Sequence, residues 1–209
     1  MRARITFTKQ GALRYTGHLD LHRLWERAMR RASLPITYSQ GFHPQPKISL
    51  ASALPLGFSS LAEVLDVRFN EDIPVEEIAS RLKDNLPADI RVTNVEVVDE
   101  RAPALQTQVV SAAYDVHLTE PIDGGELTRK VEELMKSESL PRERRGKFYD
   151  LRPLVEMLSV VNESNGKIWL QMKLAAREGA TGRPEEVLTV LGIEPEYAKV
   201  ERTSLIFQG

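Results

Sequence analysis

The sequence predicts an α+β protein built as two tandem units, the second less regular than the first. Three observations predict it. Apolar residues recur with period two in some stretches and with helical spacing in others. The order strand, helix, strand, strand, helix, strand runs through residues 1–99 and again, more loosely, through residues 109–209. Residues 99–108 between them are polar, contain a proline and read as a linker.

Residues 4–9 alternate apolar and polar side chains, as a half-buried strand does, and Gln10, Gly11 and Ala12 turn the chain. A helix over 19–32 puts Leu21, Leu24, Trp25, Ala28 and Ala32 on one face, with Arg23, Arg27, Arg30 and Arg31 off it. Pro35 ends that helix. Residues 36–38 suit a short strand. Gly41 to Pro46 holds two prolines and a glycine and is a stiff loop. Strands over 47–54 and 61–69 flank a turn at Pro55, Leu56 and Gly57. Pro74 opens a helix over 74–85 with Val75, Ile78, Ala79 and Leu82 inward, and 90–98 is a last strand. This is the ferredoxin-like βαββαβ order: an antiparallel sheet with both helices on one face and the other face free unless something covers it.

The second unit starts with a strand over 111–119. Asp123, Gly124 and Gly125 lead into a helix over 126–137, with Leu127, Val131, Leu134 and Met135 on one face. Residues 148–161 form one or two strands broken by Pro153, with a helix over 154–160 as the alternative. Residues 167–175 alternate cleanly. A short helix over 184–191 starts at Pro184 and stops before Gly192, and 200–207 closes as a strand. Two tandem ferredoxin-like units follow; the order of elements repeats, while the sequence itself does not.

Composition excludes several chemistries. The 209 residues contain no cysteine, which removes disulfides, thiolate zinc sites, iron–sulfur clusters and a cysteine nucleophile. No apolar run reaches 18 residues, and the N-terminus leads into a strand pattern, so the chain is expected to be cytoplasmic, without a membrane partner. The net charge of −2 hides an asymmetry. Residues 1–50 hold nine Lys and Arg against two acids, +7, leaving 19 basic and 28 acidic residues elsewhere, −9. A basic end on a near-neutral chain is an expected face for an anionic partner.

Three constellations could carry function. Arg14, Tyr15, Thr16, Gly17, His18 and Asp20 surround a predicted helix start, where backbone N–H groups favour an anion; the alternative is that Thr16 or His18 caps the helix. Tyr38 to Lys47 sets Phe42, His43 and Lys47 in a proline-stiffened loop suited to stacking and phosphate contact; the alternative is that Phe42 plugs the core. Arg144, Arg145, Lys147 and Arg152 interleave with Phe148 and Tyr149, the composition of a nucleic-acid contact strip or of a solvated loop with two core aromatics. The expected binding surface is Arg14, His18, Arg23, Arg27, Arg31, Phe42, His43 and Lys47, with Arg144, Arg145 and Lys147 as a second patch. His18 and His22 are four apart, a metal-ligand spacing, but no carboxylate completes a motif and no metal is expected. Phosphate-loop, dinucleotide and nucleophile-elbow motifs are absent, so no cofactor is expected.

Several stretches together resemble the bacterial radical-SAM-linked protein family: Tyr15 to Leu21, Arg27 to Arg31, Gly41 to Ser49, Ala53 to Gly57, Glu63 to Asp66, Lys147 to Pro153 and Gly182 to Leu188. That family is a domain of unknown function fused to, or encoded beside, radical SAM proteins. The resemblance implies a companion of a radical SAM enzyme with a leaning toward ribosome and RNA functions, and it brings no catalytic residues. The tandem architecture is also similar to repeat-associated RNA-processing endoribonucleases, which cut without metal; there His18, Tyr15 and Lys47 would serve, His18 taking the 2′-OH proton and Lys47 stabilising the phosphorane. This chain has only Gly179 to Gly182 in place of their Gly-rich loop. The leading expectation is a non-catalytic RNA-binding companion of a radical SAM enzyme. An RNA-free protein adaptor and a metal-independent endoribonuclease are the alternatives.

Overall fold

The computed structural model describes residues 1–162 and 167–208. The chain is mixed α+β and divides into two units, Met1–Val109 and Val110–Gly209.

In the first unit, β1 (Arg2–Lys9) lies between β3 (Ser59–Arg68) and β4 (Ile90–Val98), and β2 (Ile48–Leu50) pairs with β3. All three pairings are antiparallel. Alternation sets the two faces. Ala3, Ile5 and Phe7 of β1 and Leu65 and Val67 of β3 are buried against Leu21, Trp25 and Met29 of α1 (His18–Arg31) and Ile78 and Leu82 of α2 (Val75–Lys83). The Phe7 and Trp25 rings meet edge-on, 4.7 Å between centroids at 65°. Burial of side chains this size contributes about 1.5–3 kcal/mol each and makes this the centre of the unit's core.

Charge covers part of the reverse face. Arg2 and Asp66 are both 5% exposed. Arg2 donates to Asp66 Oδ2 from Nε at 3.0 Å and from Nη2 at 2.6 Å, and Arg4 Nε donates to Asp66 Oδ1 at 2.9 Å. Arg2 also donates to the carbonyls of Ala102 at 2.7 Å and Pro103 at 2.9 Å, and Arg4 to Gln108 Oε1 at 3.2 Å. The stretch read as a linker is therefore packed on the first unit. It ends in a one-turn helix, α3 (Leu105–Gln108), with Leu105 buried.

Other boundaries also shift. Residues 36–38 form two single bridges, Ile36 to Phe69 and Tyr38 to Pro46, rather than a strand; Pro35, Pro44 and Pro46 have no N–H to extend a ladder. Gly11–Tyr15 is a 3₁₀ turn. Gly17 is the N-cap of α1 and no side chain caps it, so neither Thr16 nor His18 takes that role. The loop after α1 closes on itself, Ser39 N to Gln45 O at 2.8 Å and Gln45 N to Ser39 Oγ at 2.9 Å. Phe42 stands at its tip, fully exposed, and does not plug the core.

In the second unit, β9 (Ile168–Arg177) lies between β8 (Val155–Asn162) and β5 (Val109–Leu118), and β11 (Ala198–Phe207) lies beside β5. The strand alternative for 154–160 holds, in a segment rich in β-branched Val155, Val160 and Val161. Helix α4 (Gly124–Lys136) starts two residues before the expected position because the Asp123 carboxylate accepts from Gly125 N at 2.8 Å and Glu126 N at 3.2 Å. Leu127, Val131 and Leu134 of α4 and Val187 and Leu188 of α5 (Pro184–Val190) are buried, as are Leu170, Met172 and Leu174 of β9. The first of the two strands expected around Pro153 is β7 (Lys147–Asp150), and the element not foreseen is its partner, β6 (Pro141–Arg144), with which it forms a hairpin. Its two-residue turn puts Arg145 at φ 50° and Gly146 at φ 74°, as a type I′ turn requires. A two-residue strand, β10 (Ala180–Thr181), folds back on the end of β9. Among the described residues no helix is long and apolar enough to cross a membrane.

Candidate functional site

Helix α1 presents its apolar stripe to the sheet, which turns its arginines outward. Arg23, Arg27 and Arg31 follow at four-residue spacing and line one groove of about 710 Å³ with Leu24, Leu86 and Pro87 as apolar wall. Eight residues of helix span about 12 Å, so the three guanidinium groups form a row rather than a point. Arg31 Nη2 donates to the Asn85 carbonyl at 2.7 Å and ties the loop between α2 and β4 to α1. Arg23 meets Asp20 at 3.3 Å with both side chains about two-thirds exposed, a pair that contributes about 0–1 kcal/mol and opens readily. The Arg27 side chain has no hydrogen-bonded or ionic partner among the described residues. Asp20 and Asp84 also line the groove, so three cations face two carboxylates.

The remaining predicted residues of this unit lie in other places. The Arg14 guanidinium stacks over the Tyr15 ring at 4.8 Å, and its Nε is buried with no hydrogen-bond partner. His18 opens α1. Burial, then the neighbouring His22, push its pKa below the ordinary imidazole range; the nearby Glu63 carboxylate opposes the shift without cancelling it. His43 is exposed on the loop with Phe42. Lys47 lines a cavity of about 470 Å³ with Arg2, Asp66 and Arg68, on the sheet face away from α1. Tyr15 and His18 are thus neighbours at the start of α1, while Lys47 opens onto a different space. His22 Nε2 sits 3.2 Å from the Ile48 carbonyl, which commits that nitrogen to a hydrogen bond. Among the described residues no group of three His, Asp or Glu side chains could hold a metal ion.

Two buried charged residues were not among the predicted site residues. Lys9 and Glu63 are 1% and 2% exposed. Lys9 Nζ donates to the Thr16 carbonyl at 2.9 Å and braces the turn that leads into α1.

The second basic patch forms a cavity of its own, about 620 Å³, lined by Arg144, Arg145, Lys147, Phe148, Tyr149 and Asp150, with Gly179 to Thr181 and Arg183 from beyond β9. Four cations face one carboxylate there. Burial, and then Glu186, push the Tyr149 hydroxyl pKa up against the pull of Arg142, Arg144 and Arg183, so the phenol stays a neutral donor. Backbone N–H groups of Leu140 and Arg152, at 2.7 and 2.9 Å, hold the Asp150 carboxyl below its usual range. Arg183 lies 36 residues from Lys147, and nothing in the sequence links them.

The chain belongs to the family described as uncharacterized protein conserved in bacteria (DUF2344), whose model matches residues 2–184. No curated protein matches the chain in sequence. Among solved structures it is similar to a chain of "Crystal Structure of a Cbf5-Nop10-Gar1 Complex", at 11% identity and a TM-score of 0.50. The match covers 97% of this chain and 48% of that one, so this chain spans about half the length of its structural relative. The likeness is one of fold alone.

Proposed function

We propose that this protein is a non-catalytic RNA-binding companion of a radical SAM enzyme, framed on two tandem ferredoxin-like units. The radical SAM part rests on the sequence resemblance. The RNA part is carried by one observation: the row of Arg23, Arg27 and Arg31 along an open groove, with Arg27 unpaired and Arg31 already anchored. A row of guanidinium groups suits successive phosphates, and each contact releases counterions, which makes binding salt-dependent. Leu24, Leu86 and Pro87 offer apolar surface to a sugar or base edge. The test is fluorescence anisotropy with labelled tRNA, comparing the parent with Arg27→Glu and Arg31→Glu. Each reversal is expected to weaken binding at least about tenfold at low salt. Equal affinity in all three proteins rejects the groove.

A second reading, an adaptor that needs no RNA, is favoured by an apolar surface beside the groove. Tyr15, Leu19 and Leu56 are 63%, 72% and 65% exposed. Exposed apolar clusters of this kind suit protein contact. Co-purification of a radical SAM protein that survives nuclease treatment, with no RNA affinity in the isolated chain, selects this reading.

A further inference from the structure

We propose that the cavity lined by the β6–β7 hairpin is a seat for unpaired single-stranded RNA, its phosphates on Arg144, Arg145, Lys147 and Arg183 and a base stacked on Phe148. The inference rests on the RNA-binding reading above and assigns it a second site and a strand preference. Cross-strand register places Arg142, Arg144, Lys147 and Tyr149 on one face of the ribbon and Glu143 and Phe148 on the other. The cavity is lined by ribbon residues of both faces, Arg144, Lys147 and Tyr149 of the first and Phe148 and Asp150 of the second, and Arg183 reaches it from the start of α5. Arg142 is engaged by Glu186 at 3.2 Å. The side chains of Arg144, Arg145, Lys147 and Arg183 have no hydrogen-bonded or ionic partner among the described residues. Phe148 borders the cavity and is 81% exposed, where an apolar core would have buried it. A strand lying in the cavity and leaving over the ribbon edge meets phosphate ligands first and an aromatic ring last, the pairing that single-strand binders use. A duplex, with its bases stacked inward, has nothing to offer Phe148.

The turn supports the same assignment. Type I′ turns favour Asn-Gly or Gly-Gly, and here a bulky arginine occupies the first left-handed position at φ 50°. A local conformation less stable than the sequence could achieve, at the tip of a basic ribbon, points to selection for the guanidinium rather than for the turn.

The test uses the full chain and labelled oligouridine of about ten nucleotides beside a fully paired RNA duplex of equal length. The parent is expected to favour the single strand. Phe148→Ala should weaken oligouridine binding about tenfold and leave duplex binding unchanged. Arg144→Glu and Lys147→Glu should each weaken oligouridine binding by a similar factor. Arg145→Asn should raise Tm while lowering the slope of log affinity against log salt by about 0.7. If hairpin variants bind as the parent does and Arg27→Glu does not, the hairpin seat is wrong and the α1 groove stands. If the hairpin variants lose binding and Arg27→Glu keeps it, the hairpin seat stands and the groove falls. Equal binding of polyglutamate and oligouridine, with no effect of Phe148→Ala, assigns the cavity to acidic chains and overturns the proposal.

Discussion

Replacing Asp66 by asparagine removes the carboxylate that the Arg2 and Arg4 guanidinium groups of β1 share. Its two oxygens accept from Arg2 Nε and Nη2 and from Arg4 Nε and Nη2, at 2.6 to 3.2 Å. Arg2 and Asp66 are each 5% exposed, so water cannot substitute for the lost charge. Asparagine keeps the shape, offers one acceptor oxygen and turns an N–H₂ toward the guanidinium groups. Breaking a buried pair by removing one partner costs about 3–5 kcal/mol, a large share of a typical total stability of about 5–15 kcal/mol. Urea unfolding followed by circular dichroism at pH 7 should show that loss as a lower midpoint with an unchanged slope. A loss below about 1 kcal/mol would put the cluster with exposed ion pairs and refute the reasoning. The same geometry predicts that Arg2→Met, which also drops the carbonyls of Ala102 and Pro103, exposes residues 99–108 to limited proteolysis faster than it lowers Tm.

Three further outcomes follow from local geometry. His18 has a folded pKa below its unfolded value of about 6.5, so the unfolded chain binds more protons between the two. Its contribution to stability is whole above about pH 6.5 and is lost as pH falls through that window; His18→Gln should flatten the slope of stability against pH there, and an unchanged slope contradicts the assignment. Asp123→Ala removes the acceptor for Gly125 N and Glu126 N and should cost about 0.5–2 kcal/mol in thermal unfolding, whereas Asp123→Ser should recover most of it. A Cβ at Gly182 would stand 2.8 Å from the Leu154 carbonyl oxygen and 3.1 Å from Leu174 Cβ, so Gly182→Ala should destabilise by about 1–3 kcal/mol; a neutral effect would mean that this backbone yields.

The helices other than the one-turn α3 were legible because each carries its signal locally. The apolar stripe of α1 falls at i, i+3, i+4 and i+7, and Pro184 and Gly192 bracket α5. The alternation of β1 was legible too, and it placed Lys9 on the face of Ile5 and Phe7; what it could not show is that the ammonium finds a carbonyl at Thr16 and stays inside. The strand before Pro153 was legible, but its pairing into a hairpin was missed because the four residues of β6 give only two alternations and Arg145-Gly146 is not a strong turn pair. The packing of residues 99–108 on the first unit was not legible, because the segment is polar in sequence and is held through backbone carbonyls, which every residue has. Of the predicted site, the four-residue spacing of Arg23, Arg27 and Arg31 was readable. The contributions of Asn85, Leu86 and Arg183 are matters of tertiary assembly that no local pattern carries.

The most direct test of the RNA-binding account is the affinity of the unmodified chain for labelled tRNA and a ribosomal RNA fragment across a salt series. Each phosphate contact with a single strand contributes about −0.7 to the slope of log affinity against log salt. Arg23, Arg27 and Arg31 alone predict a slope near −2, and engagement of the hairpin cations as well makes it steeper. Absent binding, or a slope near zero, would contradict the account and leave the basic surfaces to a protein partner.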